Sequence, residues 1–224
     1  MSEPRDSVSA PKDSSNRLFI LAVAAIAVIG LAAVAVLATT RGDDTAVASD
    51  GAETAAVELI GESISPLPEG VRVSDADTDP EYGNVAPTLI GTGFDGAEVK
   101  IEPDGKAKAI YFLAHWCPHC QEELPLVQSL LDDGVVPDGL EVYAVSTGVN
   151  DGGGNYPPSD WFVDEGFTAT VVRDDDAASA FVGYGGAGFP YVVYLDSEHR
   201  VVARSSGNLD GATTSQLWDI ASAG

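Results

Sequence analysis

Residues 115–125 of the chain read His-Trp-Cys-Pro-His-Cys-Gln-Glu-Glu-Leu-Pro, and this stretch decides the fold. It holds both cysteines of the sequence, Cys117 and Cys120. The apolar run at 107–114, just before it, is typical of a buried strand. After it, apolar residues recur at helical spacing to about residue 132. The two cysteines are therefore predicted to lie where a strand ends and a helix begins.

The spacing of the two cysteines favours redox chemistry or metal binding over a structural role. A structural disulfide usually joins distant elements, and a secreted scaffold usually carries several. At a helix N-terminus, free backbone N–H groups and the helix dipole stabilise a thiolate on Cys117. Cys120 follows nearly one turn later, close enough to form a disulfide with Cys117. Pro118 suits the first helical turn, where its missing N–H is not needed.

This stretch resembles the active site of the thioredoxin superfamily, in particular its membrane-anchored TlpA/ResA-like branch. Trp116 matches the aromatic residue before the first cysteine, and Pro125 matches the proline that kinks the active-site helix. Residues 84–87, Asn-Val-Ala-Pro, resemble the opening of that branch. Residues 188–191, Gly-Phe-Pro-Tyr, resemble its cis-proline loop. The resemblance covers about residues 84–224 and implies a thioredoxin-like α/β domain with a central mixed β-sheet flanked by helices.

The resemblance also implies an activity, thiol–disulfide exchange by a redox-active disulfide without a bound cofactor. Cys117 would be the nucleophile and Cys120 the resolving cysteine. Glu123 matches the acidic residue of the ResA-like motif, as a buried proton relay or, alternatively, as a solvated residue of the helix face. The predicted catalytic residues are Cys117, Cys120, His119, Pro118 and Glu123, and the predicted substrate groove is formed by Trp116, Phe189 and a cis Pro190.

Two departures from the family pattern bear on the direction of the reaction. The dipeptide between the cysteines, Pro-His, is similar to that of DsbA-type oxidases rather than to the Gly-Pro of thioredoxin. His119 would stabilise the reduced thiolate and so make the disulfide a stronger oxidant. Tyr111 stands where thioredoxin keeps a buried aspartate, which leaves proton transfer to Glu123, water or no dedicated group. We expect an oxidase of exported proteins, and the alternative is a reductant of exported thiols such as apocytochrome c in cytochrome c maturation.

Metal binding is a further alternative. His115, Cys117, His119 and Cys120 all have side chains that bind Cu(I) or Zn(II). Their spacing does not match a Cys-x-x-x-Cys copper chaperone, and the histidine needed after the second cysteine for c-type haem attachment is missing. His115 is expected to be packed or exposed at least as readily as catalytic, and His199, in a turn, is expected to be exposed.

The N-terminal part of the chain predicts a membrane anchor. Residues 18–38 form an uncharged run about 31 Å long as a helix, enough to cross a hydrocarbon core. Basic residues are concentrated in the tail at 1–17, which places that tail in the cytoplasm and the rest outside a bacterial cell membrane. The alternative is a signal peptide cleaved after residue 38, although its apolar region would be unusually long. The expected partners are exported protein thiols or disulfides and an unidentified membrane redox partner.

The charge of the chain excludes one class of partner. There are 35 acidic and 11 basic residues, a net charge of −24, so nucleic-acid binding is not expected. Residues 39–83 are acidic and contain few large apolar residues, which predicts a flexible linker before the domain at 84–224. Within that linker the run at 55–60 is the one candidate for a transient helix.

The remaining pattern predicts the order of elements in the domain. The expected strands lie at 88–90, 98–101, 107–114, 140–146, 168–172, 191–195 and 201–203. Besides the cysteine helix, a short helix is expected at 159–165, capped by Ser159 or Asp160. The aspartates at 174–176 are expected to open a further helix, where negative charge suits the dipole. A terminal helix is expected at 209–221. This order is that of a mixed sheet with helices on both faces.

Overall fold

The structure, a computed structural model, describes residues 52–224. The predicted cytoplasmic tail (1–17), the predicted transmembrane helix (18–38) and the first part of the predicted linker (39–51) lie outside the described residues. Among residues 52–224, no helix combines the length and the apolar character that crossing a membrane requires.

The described part of the chain forms one eight-stranded sheet with four helices. The strands are β1 (Glu58–Ile60), β2 (Thr88–Thr92), β3 (Glu98–Ile101), β4 (Ala107–Leu113), β5 (Leu140–Ser146), β6 (Thr170–Arg173), β7 (Tyr191–Leu195) and β8 (Val201–Ser206). The helices are α1 (Pro118–Asp132), α2 (Pro158–Asp164), α3 (Ser179–Gly183) and α4 (Gly211–Ala223).

The sheet is mixed, as predicted, with β4 at its centre. The strand order is β1-β2-β6-β5-β4-β7-β8, and β3 pairs with β2 outside this path. β4 is parallel to β5 and antiparallel to β7. All seven residues of β4 are buried, which explains its nearly continuous apolar sequence. α1 follows directly after β4, so the cysteines lie at the carboxyl end of an inner strand of the sheet.

Both faces of the sheet are covered, which confirms the prediction of helices on both faces. On one face the core contains Leu124 of α1, Phe162 of α2 and Trp218 of α4. On the other face it contains Ala180 of α3 together with Ile64 and Leu67, which precede the predicted domain. The second face is therefore closed partly by the segment that the sequence assigns to a linker.

The linker prediction is wrong for residues 52–83. Glu58–Ile60 form a strand paired with β2, not a transient helix. The backbone N–H groups of Ile64 and Leu67 donate to the carbonyl oxygens of Gly183 and Gly185, at 3.0 and 3.3 Å. These two apolar side chains are buried against the sheet. A few well-placed apolar residues and one added strand are enough to hold an acidic segment on the domain.

A buried ion pair also fixes this segment. The Arg204 guanidinium makes two hydrogen bonds to the Asp79 carboxylate, from Nε at 2.7 Å and from Nη2, and neither side chain is exposed. The Ser74 hydroxyl donates to Asp79 at 2.7 Å and accepts from the Arg204 backbone N–H at 2.8 Å. Arg204 and these hydrogen bonds hold the pKa of Asp79 below its usual range, although burial opposes the shift. Residues 74–79 are thus part of the folded domain.

The prediction that His199 is exposed is also wrong. His199 lies in the turn between β7 and β8 with φ of 64°, but its side chain is buried. The chain at 83–87 covers it: the Ala86 N–H donates to the His199 carbonyl oxygen at 3.0 Å, and the ring nitrogen Nε2 lies 3.4 Å from the carbonyl oxygen of Pro87. Burial lowers the pKa of His199.

The starts of α2 and α3 differ from the predictions. α2 begins at Pro158 without a side-chain cap, and Ser159 instead donates from its N–H and hydroxyl to the Glu53 carboxylate, at 2.9 and 2.8 Å. α3 begins three residues after the aspartates. The buried Asp174 carboxylate accepts from the N–H groups of Ala180 and Phe181, so its negative charge does lie at the helix N-terminus.

Three basic residues lie in the interior. Lys108, Arg173 and Arg204 are buried, and Lys108 pairs with Asp104. The other basic residues of the described part are exposed: Arg72, Lys100, Lys106 and Arg200. Four acidic side chains are buried as well, Asp79, Glu123, Asp174 and Asp196, so the surface keeps the acidic excess that the composition indicates.

Candidate active site

Cys117 lies at the junction of β4 and α1, as predicted. It is the N-cap residue of α1, and its carbonyl oxygen accepts the first helical hydrogen bond from Gln121, at 3.1 Å. Its thiol sulfur Sγ lies 3.8 Å from the carbonyl oxygen of Phe189, to which it donates. Pro118 occupies the first turn of the helix, and Pro125 lies inside it. The N-terminal N–H groups of a helix are not used within it, so they favour negative charge at Cys117.

Cys120 is a buried thiol behind Cys117. Both cysteines are free thiols, and Cys120 Sγ accepts from the Ala114 backbone N–H at 3.5 Å. Burial raises the pKa of Cys120 well above its ordinary value, and neighbouring Cys117 and Glu123 add to the rise. Cys117 keeps 7% of its surface exposed and Cys120 none, so a partner reaches Cys117 first. The Cys120 thiol needs a proton acceptor before it can attack.

Glu123 is buried, which favours the proton relay over the solvated helix face. Its side chain is 1% exposed, and its Oε2 atom accepts from the Leu209 backbone N–H at 3.0 Å. Oε1 has no hydrogen-bond partner among the described residues. Burial raises the pKa of Glu123 from 4.5 to about 7, although the hydrogen bond from Leu209 opposes the shift. Near neutral pH this carboxyl can both take up and release a proton.

Tyr111 occupies the strand position at which thioredoxin has a buried aspartate. It lies on β4 in the same core cluster as both cysteines, and its hydroxyl accepts from the Trp218 indole N–H at 2.9 Å. Burial raises the pKa of Tyr111 well above its ordinary value. A phenol of this kind stays protonated, so Glu123 is the group near Cys120 that can change its charge.

His119 points away from the protein interior. Its side chain is 63% exposed, and its Nδ1 atom lies 3.5 Å from Oε2 of Glu122. The same Oε2 atom accepts from the Asn208 side-chain amide at 2.7 Å. Part of any positive charge on His119 is therefore offset by the carboxylate of Glu122, in a solvent-exposed position where such pairs are weak.

His115 is packed rather than catalytic. Its side chain is 1% exposed, and both ring nitrogens are hydrogen-bonded to backbone, with Nδ1 2.7 Å from the carbonyl oxygen of Gly154 and Nε2 accepting from the Asn150 N–H at 3.1 Å. The sequence left this residue open between packing, exposure and catalysis. No group of three or more His, Cys, Asp or Glu side chains within residues 52–224 is arranged to hold a metal ion.

The predicted groove residues lie together beside Cys117. Trp116 is 38% exposed and packs edge-on against Phe189, with ring centroids 5.9 Å apart. The peptide bond between Phe189 and Pro190 is cis, as the resemblance implies. Phe181 packs behind Phe189, with ring centroids 4.6 Å apart. Aromatic side chains thus lie on both sides of the loop that faces Cys117.

Two parts of the site were not predicted. One is the glycine-rich segment 148–157, which contacts His115 and Trp116. The run of three glycines at 152–154 is the sequence feature that could have indicated a close approach of this backbone to the site. The other is the turn before α4, where the Gly207 N–H donates to the Pro190 carbonyl oxygen at 2.8 Å and Leu209 contacts Glu123. Nothing in the local sequence of that turn indicates these contacts.

Comparisons with known proteins bear on the fold. No protein-family model and no curated protein matches the sequence. Among solved structures, a DsbF homologue from Corynebacterium diphtheriae superposes with a TM-score of 0.56 and 20% identity over 71% of this chain and 99% of its own. A protein described as the thiol:disulfide interchange protein DsbE from Chlorobium tepidum gives 0.52 and 21% over 63% and 98%.

A third solved structure is a thiol:disulfide interchange protein of the thioredoxin family from Chlorobium tepidum TLS. It superposes with a TM-score of 0.51 and 24% identity, over 61% of this chain and 94% of its own. At these identities the likeness concerns the fold. The mixed sheet, the cysteines at the start of α1 and the facing cis-proline agree with it, and the chain therefore has a thioredoxin-like fold.

Proposed function

We propose that this protein is a membrane-anchored thiol–disulfide oxidoreductase that exchanges disulfides with exported proteins through Cys117 and Cys120. The observation that carries the proposal is the pairing of Cys117, 7% exposed at the N-cap of a helix, with Cys120, which follows nearly one turn later and is fully buried. The facing aromatic groove at Phe189 and Pro190 supports the same activity. The apolar run at 18–38 supports the anchor and the extracytoplasmic position of the domain.

The exchange reaction follows from the different burial of the two thiols. In the oxidising direction, a substrate thiolate attacks Cys117 of the enzyme disulfide, and the S–S bond breaks to leave Cys120 as a thiolate. Glu123 supplies the proton that Cys120 takes up. A second substrate thiolate then attacks the substrate sulfur of the mixed disulfide and releases Cys117 as a thiolate. The substrate is oxidised by two electrons and the enzyme disulfide is reduced to a dithiol.

Trapping of mixed disulfides tests this assignment. Cys120→Ser removes the resolving thiol, so the variant should accumulate mixed disulfides between Cys117 and substrate proteins. Cys117→Ser leaves only the buried thiol and should accumulate none. Both variants are reduced and then mixed with a disulfide-containing substrate. The Cys117 thiolate attacks the substrate disulfide, bonds to one substrate sulfur and releases the other as a thiolate. Non-reducing gels detect the product, and the reverse pattern would overturn the roles of the two cysteines.

We propose the oxidising direction, supported by the Pro-His dipeptide between the cysteines. The alternative is a reductant of exported thiols, such as apocytochrome c, and one observation favours it. Glu123 is a buried carboxyl with a pKa of about 7, suited to removing the proton from Cys120 when the dithiol attacks a mixed disulfide. Binding of Cu(I) or Zn by the reduced pair is a lesser alternative.

The reduction potential of a His119→Gly variant decides how far the dipeptide sets the direction. If the imidazole stabilises the reduced form, removing it should make the protein more reducing. A tenfold loss of that stabilisation lowers the potential by about 30 mV for a two-electron couple. Because His119 is exposed and paired with Glu122, we expect a shift of about that size and not several times larger. Glutathione redox titration of both proteins measures it, and an unchanged or more oxidising variant would favour the reductant.

A further inference from the structure

The loop that follows β5 is fastened to the two residues before Cys117. This glycine-rich loop comprises residues 148–157, and most of it is exposed. The carbonyl oxygen of Gly148 accepts from the Trp116 indole N–H at 2.7 Å. The carbonyl oxygen of Gly154 and the N–H of Asn150 both bond to the His115 ring, at 2.7 and 3.1 Å. The carbonyl oxygen of His115 also accepts from the Asn155 side-chain amide, at 3.4 Å. One dipeptide therefore holds the loop at four points.

The His115 ring matches these partners in one protonation state. A carbonyl oxygen only accepts, so Nδ1 carries the proton, and a backbone N–H only donates, so Nε2 is the bare nitrogen. Both nitrogens are used and the ring is buried, so His115 has no remaining atom with which to contact a substrate. Its effect on the reaction must pass through the loop.

The loop is also packed against the groove. A Cβ atom built on Gly153 would lie 2.7 Å from Cβ of Trp116, so only glycine fits there without displacement. A Cβ atom on Gly148 would lie 3.3 Å from the Phe189 ring. Trp116 and Phe189 are themselves in edge-on contact. The loop, Trp116 and Phe189 thus form one continuous wall beside Cys117.

We propose that His115 is a positioning residue for polypeptide substrates: it fixes the glycine-rich loop as one wall of the groove, against which an extended chain lies when its thiol or disulfide reaches Cys117. Exposed glycines carry no side chains, so the backbone of a substrate can approach the loop closely. A small dithiol needs only the sulfur of Cys117. The inference rests on the proposed exchange activity and adds the surface that an extended polypeptide substrate contacts beside Cys117, together with the residue that fixes that surface.

The test compares two substrates on the same protein. Second-order rate constants are measured for a cysteine-containing peptide and for dithiothreitol, and their ratio isolates the contribution of the groove. His115→Phe removes both ring hydrogen bonds at similar size. We expect the rate constant for the peptide, divided by that for dithiothreitol, to fall about tenfold, which is equivalent to about 1.4 kcal/mol. For the peptide, the change should be in KM rather than in kcat. His115→Gln, which keeps one donor and one acceptor, should restore much of the ratio.

A second pair of variants leaves His115 intact. Gly153→Ala places a methyl group against Trp116 and should lower the ratio as His115→Phe does. Gly152→Ala adds the same methyl group where its nearest contact is an ordinary 3.6 Å from the Asn150 side chain, so it is the matched control, expected within about twofold of the wild type. This pair decides the question if His115→Phe does not fold.

The outcomes separate the inference from the proposed function. If the wild type exchanges with neither substrate, the oxidoreductase assignment fails. If it exchanges with both and the peptide ratio is unchanged in His115→Phe and Gly153→Ala, the loop is not a substrate wall. If both rate constants fall together, His115 only supports the fold and the inference is overturned.

Discussion

The buried carboxyl of Glu123 should make the protein less stable as pH rises toward neutral, and the substitution Glu123→Gln should remove this dependence. Its carboxyl lies on the buried face of α1, with one oxygen bonded to the Leu209 N–H and the other without a partner among the described residues. Glu123→Gln keeps the shape and an acceptor for Leu209 but cannot ionise. The variant therefore isolates the energetic cost of a carboxylate in this position.

The magnitude follows from the shift in pKa. Burial raises the pKa of Glu123 from 4.5 to about 7, so the folded protein binds this proton more tightly than the unfolded chain. The stabilising contribution is complete below pH 4.5, is lost as pH rises, and levels off above about pH 7. Each pKa unit corresponds to about 1.4 kcal/mol, so the whole loss is about 3 kcal/mol.

Urea unfolding of the reduced protein at several pH values between about 5 and 8 measures this loss. The free energy of unfolding of Glu123→Gln, relative to the wild type, should rise by about 2.5 kcal/mol over that range. Glu122→Gln is the matched control, because it removes a carboxyl at the neighbouring exposed position. If the curves of wild type and Glu123→Gln run parallel, Glu123 does not titrate near neutral pH and is not the proton relay for Cys120.

Two other substitutions probe the groove and the N-terminal segment. Phe189→Thr removes the ring that packs against Trp116 and Phe181, and should raise KM for a peptide substrate several-fold; unchanged peptide kinetics would show that Phe189 does not contribute to specificity. Asp79→Ala leaves Arg204 buried without its carboxylate and should lower the free energy of unfolding by about 3–5 kcal/mol. Asp77→Ala, at an exposed position nearby, should change it by less than about 0.5 kcal/mol, and equal effects of the two variants would mean that the segment is not held by this ion pair.

The elements nearest the cysteines could be predicted because their signals are local. β4 is a continuous apolar run, α1 has apolar residues at helical spacing, and both bounds agree closely with the structure. The cis peptide bond before Pro190 could be predicted because residues 188–191 resemble the cis-proline loop of the family. In each case the residues that form the element also carry the pattern that predicts it.

The errors concern residues whose partners are distant in the chain. In the sequence, Asp79 is one of many acidic residues in a predicted flexible linker. Its partner, Arg204, lies 125 positions later in the chain, so the ion pair cannot be predicted from local sequence. His199 reads as an exposed turn residue because the segment at 83–87 that covers it has no local relation to the turn. Glu123 was undecided between buried and solvated because its burial depends on the turn at Leu209. Composition records the number of charges in a segment and not which of them are paired.

The burial of Lys108, Arg173 and Arg204 has a consequence for how the domain meets other proteins. With these three cations inside, residues 52–224 keep four exposed basic residues, and the exposed acidic residues outnumber them several times over. Basic partners are drawn toward it and acidic ones are held off, so association rates differ before any contact at Cys117 is made. At physiological ionic strength this selection acts within about 8 Å, and at low salt it extends further. Salt concentration therefore changes how strongly the domain selects its partners by their charge.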